Sequence, residues 1–310
     1  MIRPLREDDI PEASRIVRLA FGTFLRVPDP ENFVPDIDYV RTRWRADSSA
    51  AFAADDGGRL VGSNFATRWG SVGFFGPLTV HPDHWNKGIA QQLMQPVMEC
   101  FDKWKLTHAG LFTFPESPKH IALYQKYGFY PRYLTAILAK PVVAGPATRN
   151  WAIFSKLAPA DHHRTIGSCS QLTDTVYPGL NVEREIRAAY DQSLGDTVLL
   201  SEDGRLVGFA VCHCGPDTEA GNGKCYLKFG IASSGSDSEV HFSKLLNAVE
   251  EFAASRGLTQ IEAGINLSRH EAYRRMLLHG FRAERTGVAM HRPLEPGYSR
   301  PGVYVIDDWR

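Results

Sequence analysis

The pentapeptide Gly58-Arg59-Leu60-Val61-Gly62 returns as Gly204-Arg205-Leu206-Val207-Gly208, each time after an acidic turn. Glu99-Cys100-Phe101 has a counterpart in Glu250-Glu251-Phe252, and Gly128-Phe129 returns as Gly280-Phe281. Three matches in one order, at offsets of 146, 151 and 152 residues, describe one unit written twice. A chain of 310 residues is also long for one compact body. The stretch Pro141-Val142-Val143-Ala144-Gly145-Pro146 reads as a linker. The pattern therefore predicts two tandem domains, residues 1–145 and 146–310.

Within the first unit, residues 2–6 read as a strand and 10–24 as an amphipathic helix. A polar loop (Pro28-Asp29-Pro30-Glu31) leads to a second helix over 37–45. Residues 51–54 and 60–68 form a hairpin across Asp55-Asp56-Gly57-Gly58. A strand over 71–80 is interrupted by Gly76-Pro77, which argues for a bulge or a break in the ladder. Ile89, Leu93, Val97, Cys100, Phe101 and Trp104 recur at helical spacing and make one apolar face. Pro96 inside that helix should bend it. Residues 109–114 read as the next strand, stopped by Pro115.

Between strand and helix lies Val80-His81-Pro82-Asp83-His84-Trp85-Asn86-Lys87-Gly88-Ile89-Ala90. A polar turn running into a helix N-terminus leaves several backbone N–H groups without intrahelical acceptors, at the positive end of the macrodipole. Such a turn suits a pyrophosphate, and small side chains at Gly88 and Ala90 let the oxygens approach. Downstream comes Ser117-Pro118-Lys119-His120-Ile121-Ala122-Leu123-Tyr124-Gln125-Lys126-Tyr127-Gly128-Phe129, in which Gly128 ends a helix.

The first of these stretches resembles motif A of the GNAT acetyltransferase superfamily through Val80, Pro82, Gly88 and Ala90. Trp85 stands where that family has Arg or Gln, and Asn86 where Gly is common. The Leu-Tyr-x-Lys-x-Gly-Phe run at 123–129 resembles its motif B, with Ser117 in the place of the usual Asn. The resemblance implies an α/β fold: two tandem GNAT-like domains, each a mixed, mostly antiparallel sheet flanked by helices. It also implies that Trp85, Asn86, Lys87, Gly88, Ile89, Ala90 and Ser117 bind acetyl-CoA. The strand before the turn is bulged in this family and opens a slot, so Leu78, Thr79 and Val80 should pair with the pantetheine arm. Tyr124 is implied as the proton donor to the departing thiolate.

N-acetyl transfer needs a neutral amine, a donor for the oxyanion and a proton for the leaving group. Backbone N–H groups around Val80 suit the second requirement. For the base, 73–80 offers no carboxylate or histidine; Glu116 and His81 are the candidates, while His84, His108 and His120 read as surface residues. Phe65, Trp69, Phe74, Phe75, Phe112 and Phe114 alternate along the flanking strands, so about half must face the core and the others are free to line an acceptor pocket. Asp29, Glu31, Asp36 and Asp38 lie in a loop that either attracts a cationic amine or is simply solvated.

The second copy keeps the pattern without the chemistry. Between a strand over 224–231 and a helix over 240–256 lies Ala232-Ser233-Ser234-Gly235-Ser236-Asp237-Ser238-Glu239, with no Val-x-Pro and no basic residue. Asp237 and Glu239 repel a phosphate at a helix N-terminus. Aligning Gly280 with Gly128 sets Met276 opposite Tyr124. The copy reads as a degenerate domain that builds an acceptor cleft or an interface.

Equal counts of basic and acidic residues, 35 each, and a pI near 7.2 exclude a broad nucleic-acid footprint. No apolar run reaches the ~18 residues of a membrane span, and the charged N-terminal residues lack a signal-peptide core. Five cysteines do not make a disulfide framework. Cys212 and His213 point to opposite faces of a strand, which argues against a metal site there. A cytoplasmic, reducing location is expected. Two functional classes follow: an acetyl-CoA-dependent N-acetyltransferase acting on a small-molecule or peptide amine, or a non-catalytic acyl-CoA-binding sensor or scaffold. A homodimer stays open for either. The two-domain layout also resembles mycothiol synthases, whose competent half is the C-terminal one, opposite to this chain.

Overall fold

The computed structural model describes residues 1–143 and 150–310. The first half runs β1 (Ile2–Pro4), α1 (Ile10–Phe24), α2 (Tyr39–Ala46), β2 (Ala51–Asp56), β3 (Arg59–Trp69), β4 (Val72–Phe75), β5 (Thr79–Val80), α3 (Ile89–Trp104), β6 (His108–Thr113), α4 (Pro118–Gln125) and β7 (Tyr130–Pro141). The second runs β8 (Trp151–Ile153), α5 (Pro159–Asp174), α6 (Glu183–Asp191), β9 (Gly195–Glu202), β10 (Arg205–Gly215) and β11 (Gly221–Ala232). It continues with α7 (Ser238–Ser255), β12 (Gln260–Asn266), α8 (His270–Leu278), β13 (Arg282–Arg292) and β14 (Val305–Ile306). The expected boundary at 145/146 and residues 144–146 of the expected linker lie outside the described residues. Pro141 itself closes β7.

Local signals act where the residue types place them. Asp38 caps α2 by accepting from the Arg41 amide (2.9 Å), and Ser117 caps α4. After α4 the chain turns through Gly128 at φ +82°, and the Phe129 amide bonds the Tyr124 carbonyl (3.2 Å). The second half repeats this closure at Gly280 (φ +90°), with the Phe281 amide on the Met276 carbonyl (3.1 Å). The duplication is therefore structural, and Met276 does stand where Tyr124 stands. α3 passes through Pro96 as one continuous helix.

All the strands join in one sheet, ordered β1-β2-β3-β4-β6-β13-β7-β12-β11-β10-β9-β8, with β5 on β3 and β14 on β11. Beyond β6, the first unit supplies only β7. β13 from the second half lies between β6 (Val288↔Thr113) and β7 (Gly287↔Thr135), while β7 lies between β13 and β12 (Asn266↔Thr135). The chain leaves β7 without an immediate return strand and runs to β8 at the far edge, so each half takes its missing strand from the other. Both strands are then paired on two sides, which leaves no open edge at the seam.

The ladder breaks where the sequence predicts. β4 pairs in parallel with β6 as far as Phe74↔Gly110, whereas β5, beyond Gly76-Pro77, pairs only with β3 (Gly62↔Val80). β5 and β6 diverge, and a wedge opens between them.

Candidate active site

The wedge continues into a cleft of about 580 Å³. β5 and its approach supply Leu78, Thr79 and Val80; the following turn supplies Trp85, Asn86, Gly88, Ile89 and Ala90; α4 supplies Ser117 and Tyr124. Of the residues expected at a cofactor site, Lys87 alone does not line the cleft.

The turn has the geometry its residue types require. Asn86 and Gly88 sit at positive φ, +65° and +78°, and α3 begins at Ile89. The first intrahelical acceptor is the Gly88 carbonyl, taken by Gln92 (3.2 Å). Among the described residues, no acceptor takes up the amides from Asn86 to Gln91. Apart from Lys87, these residues line the cleft, as do Lys119 and Lys126. Lys119 also ties α4 to the turn through the Asn86 side chain (2.5 Å). Trp85 braces the turn: its indole N–H donates to the Val80 carbonyl (2.7 Å), and its ring packs with Val61, Val80 and Leu93. On β5 the His81 amide bonds the Val61 carbonyl (2.8 Å), so strand alternation turns the Val80 amide toward the wedge.

Tyr124 belongs to the core of α3, α4 and β6 and still reaches the cleft. Its ring meets Phe75 edge-on at 5.6 Å. Burial pushes the phenol up to about 12, against a small opposing pull from Thr113. The group therefore stays protonated through the neutral range.

Several residues lie elsewhere than expected. Glu116 and His81 do not line the cleft, whereas His84 and His120 do. His120, read as a surface residue, stacks on Phe24 (5.0 Å) and Phe114 (6.3 Å), and its Nδ1 is buried without a partner. Burial first, then Lys119, lowers its pKa, so the ring is neutral near pH 7. His108 is fully buried. Helical spacing carries the missed signal, because 117, 120 and 124 share one face of α4. Phe65, Trp69, Phe74 and Phe75 are core residues; of the six aromatics considered, only Phe114 lines the cleft, joined by Phe21 and Phe24 of α1. The acidic loop is committed elsewhere. Asp29 accepts from Asn32, Glu31 pairs with Arg15, Asp38 caps α2, and Asp36 accepts from the Asn222 amide in the second half.

The profile of the Acetyltransferase (GNAT) family matches residues 16–129, which span this cleft. A protein of Pyrococcus horikoshii described as a candidate acetyltransferase superposes with a TM-score of 0.70 at 16% identity, over 100% of this chain and 94% of that one. A GCN5-related N-acetyltransferase from Sphaerobacter thermophilus does so at 0.60 and 16%, over 96% of each chain. A tandem GNAT protein from the clavulanic acid biosynthesis pathway aligns at 0.57 and 15%, over 94% of this chain and 97% of that one. Residues 16–129 thus match the GNAT family, and the whole chain shares the fold of these structures. No match is found among curated protein sequences.

The corresponding wedge of the second half is filled by the chain itself. β11 pairs with β12 only over 224–227, and beyond that β14 takes its free side (Gly230↔Ile306, Ile231↔Val305). Asp307 bridges to Ile265 of β12, so the segment lies between the two diverging strands. Arg269, 1% exposed, clamps it through the Val305 carbonyl (2.8 Å) and Asp307 (3.0 Å). At the start of α7, Glu239 pairs with Arg275 and the Ser238 hydroxyl donates to the Gly235 carbonyl. Cys212 packs in the core beside Cys225, while His213 faces the opposite side toward Glu219 and Lys228. Among the described residues, no cluster of three metal-ligating side chains occurs and no helix is long and apolar enough to cross a membrane.

Proposed function

We propose that the first half is an acetyl-CoA-dependent N-acetyltransferase that moves an acetyl group directly to a primary amine of a small molecule or peptide. The observation that carries this reading is the convergence, in one cleft, of unpartnered helix-terminal amides, a diverging strand pair and a protonated Tyr124. The amides of residues 86–91, with Lys119 and Lys126 beside them, fit a diphosphate. The exposed backbone edge of Leu78, Thr79 and Val80 fits an amide-bearing arm, and Ser117 closes the opposite wall. The wedge then delivers the thioester carbonyl to the Val80 amide, which supports the developing oxyanion. The amine nitrogen attacks the carbonyl carbon, the C–S bond breaks, and the sulfur takes the Tyr124 proton; the amine's own proton leaves to water, from which the Tyr124 phenol is reprotonated. The second half, its wedge filled by residues 304–307 and its turn acidic, is read as holding no cofactor. A cytoplasmic setting goes with this reading, since all five cysteines are free thiols.

The test is release of free thiol from acetyl-CoA over a panel of amines, with wild type and Gly88→Glu. Turnover in the first that is lost in the second establishes class and site. Tight acetyl-CoA binding with no turnover on any amine gives the sensor or scaffold instead.

A further inference from the structure

Where β4 leaves β6, the Gly76 carbonyl turns out of the ladder and needs another partner, because a buried carbonyl without a hydrogen bond is strongly disfavoured. Arg43 of α2 supplies it, donating from Nη1 at 2.6 Å. The Arg43 side chain is 6% exposed. Its Nε and Nη2 bond Glu219 of the second half (3.0 and 3.2 Å), and Nη2 also reaches the Arg310 carbonyl. Glu219 is held in turn by Lys228 (2.5 Å). Both cations lie near the Phe74 ring, the last β4 residue still paired with β6. An Arg fork suits this duty, since it offers planar, divergent donors to a carboxylate and a carbonyl together.

We propose that Arg43, fixed by Glu219, is a positioning residue for acetyl transfer: the second half sets the wedge of the first half by holding the Gly76 carbonyl out of the sheet. The inference rests on the acetyltransferase reading for its catalytic consequence but not for its structural one. Arg43 touches neither the turn at 86–90 nor Tyr124. Its loss loosens the wall along the acyl end and leaves the diphosphate cradle in place. A displacement of about 1 Å at such a site lowers turnover by roughly a hundredfold.

The experiment uses the full chain as wild type, Arg43→Met, Arg43→Lys, Glu219→Gln and, as a control, Lys140→Met. Lys140 pairs with Glu250 across the same two halves (2.6 Å) but lies away from the wedge. Hydrogen exchange is followed by mass spectrometry in the segment 76–81, whose Gly76 and His81 amides bond Phe65 and Val61. Exchange there should rise about tenfold or more in Arg43→Met and Glu219→Gln, with exchange in 135–140 unchanged, and Lys140→Met should leave 76–81 as in wild type. In parallel kcat should fall about tenfold or more, with the acetyl-CoA Kd within about threefold. Arg43→Lys, which keeps the charge and loses the fork, should not restore kcat. Unchanged exchange at 76–81 in folded Glu219→Gln, or an equal rise in Lys140→Met, overturns the proposal. If wild type turns over no amine, the acetyltransferase reading falls, and the exchange result still decides whether Arg43 holds the wedge.

Discussion

His108 Nε2 lies 2.9 Å from His291 Nδ1, a hydrogen bond between β6 of the first half and β13 of the second. Both rings are buried, with Trp309 beside them, and no carboxylate compensates a charge there. Burial lowers the His108 pKa to about 4 and that of His291 to about 3, from an ordinary 6.5. Below pH 6.5 the unfolded chain takes up protons that the folded pair refuses, so stability falls with pH until the folded rings charge near pH 4 to 3. At about 1.4 kcal/mol per unit, His108 alone accounts for about 3 kcal/mol of that loss. Urea unfolding at pH 7.5 and 5.0 should show a marked drop in wild type and a shallower one in His108→Gln. His213, lowered to about 4 by its own burial, keeps some slope in the variant. Identical slopes would show that the pair does not govern acid sensitivity.

What the sequence makes legible here is local. Gly88, Ser117 and Gly128 each carry a backbone demand that a few neighbouring residues reveal, and the structure places turn, cap and helix stop at those positions. The break at Gly76-Pro77 is likewise visible, because proline removes a ladder donor. The strand exchange is not legible. β13 pairs Val288 with Thr113, 175 residues away, and nothing in its own residue pattern announces that partner. The same holds for Arg43, an ordinary helix arginine by sequence whose partners lie 33 and 176 residues away. Trp309 is a comparable case. Its ring rests where a side chain on Gly110 would be, so that glycine serves a packing contact that its own strand does not announce.

Tyr124→Phe removes one oxygen and keeps the ring against Phe75. Acetyl-CoA binding should be unaltered, since the cradle amides lie on another element. Turnover should fall by roughly a hundredfold, within the range for a lost general acid. Because burial holds the phenol near 12, the wild-type pH–rate profile should show no loss assignable to Tyr124 below about pH 11. A variant with full kcat on the identified amine would remove this tyrosine from the mechanism.

Neither half should fold alone. Residues 1–143 without β13 leave facing edges on β6 and β7, and residues 150–310 without β7 leave them on β12 and β13. Unpaired edges of this length invite aggregation rather than a stable domain. Expressed separately, both fragments should be insoluble or lack a cooperative thermal transition; co-expressed, they should copurify and recover the transition of the intact chain. A monomeric, cooperatively melting 1–143 fragment would mean that β13 is dispensable to the first sheet.

Calorimetric titration of the intact chain should find one acetyl-CoA site, although the fold contains two wedges. In the second wedge β14 already uses the β11 edge, Tyr304 accepts from the Ala232 amide (3.0 Å), and Arg269 occupies the space with its clamp on Asp307. The turn at 233–237 adds Asp237, and Glu239 is spent on Arg275. An incoming diphosphate would have to displace a paired strand and meet negative charge in place of Lys119 and Lys126. Gly88→Glu should therefore reduce the stoichiometry from one to zero rather than from two to one. The carboxylate there faces the amides that would otherwise meet phosphate, and the φ of +78° strains any side chain at that position. Arg269→Ala tests the plug from the other side. Loosening β14 should lower the melting temperature yet leave the stoichiometry at one, because releasing the strand supplies no cradle for the diphosphate.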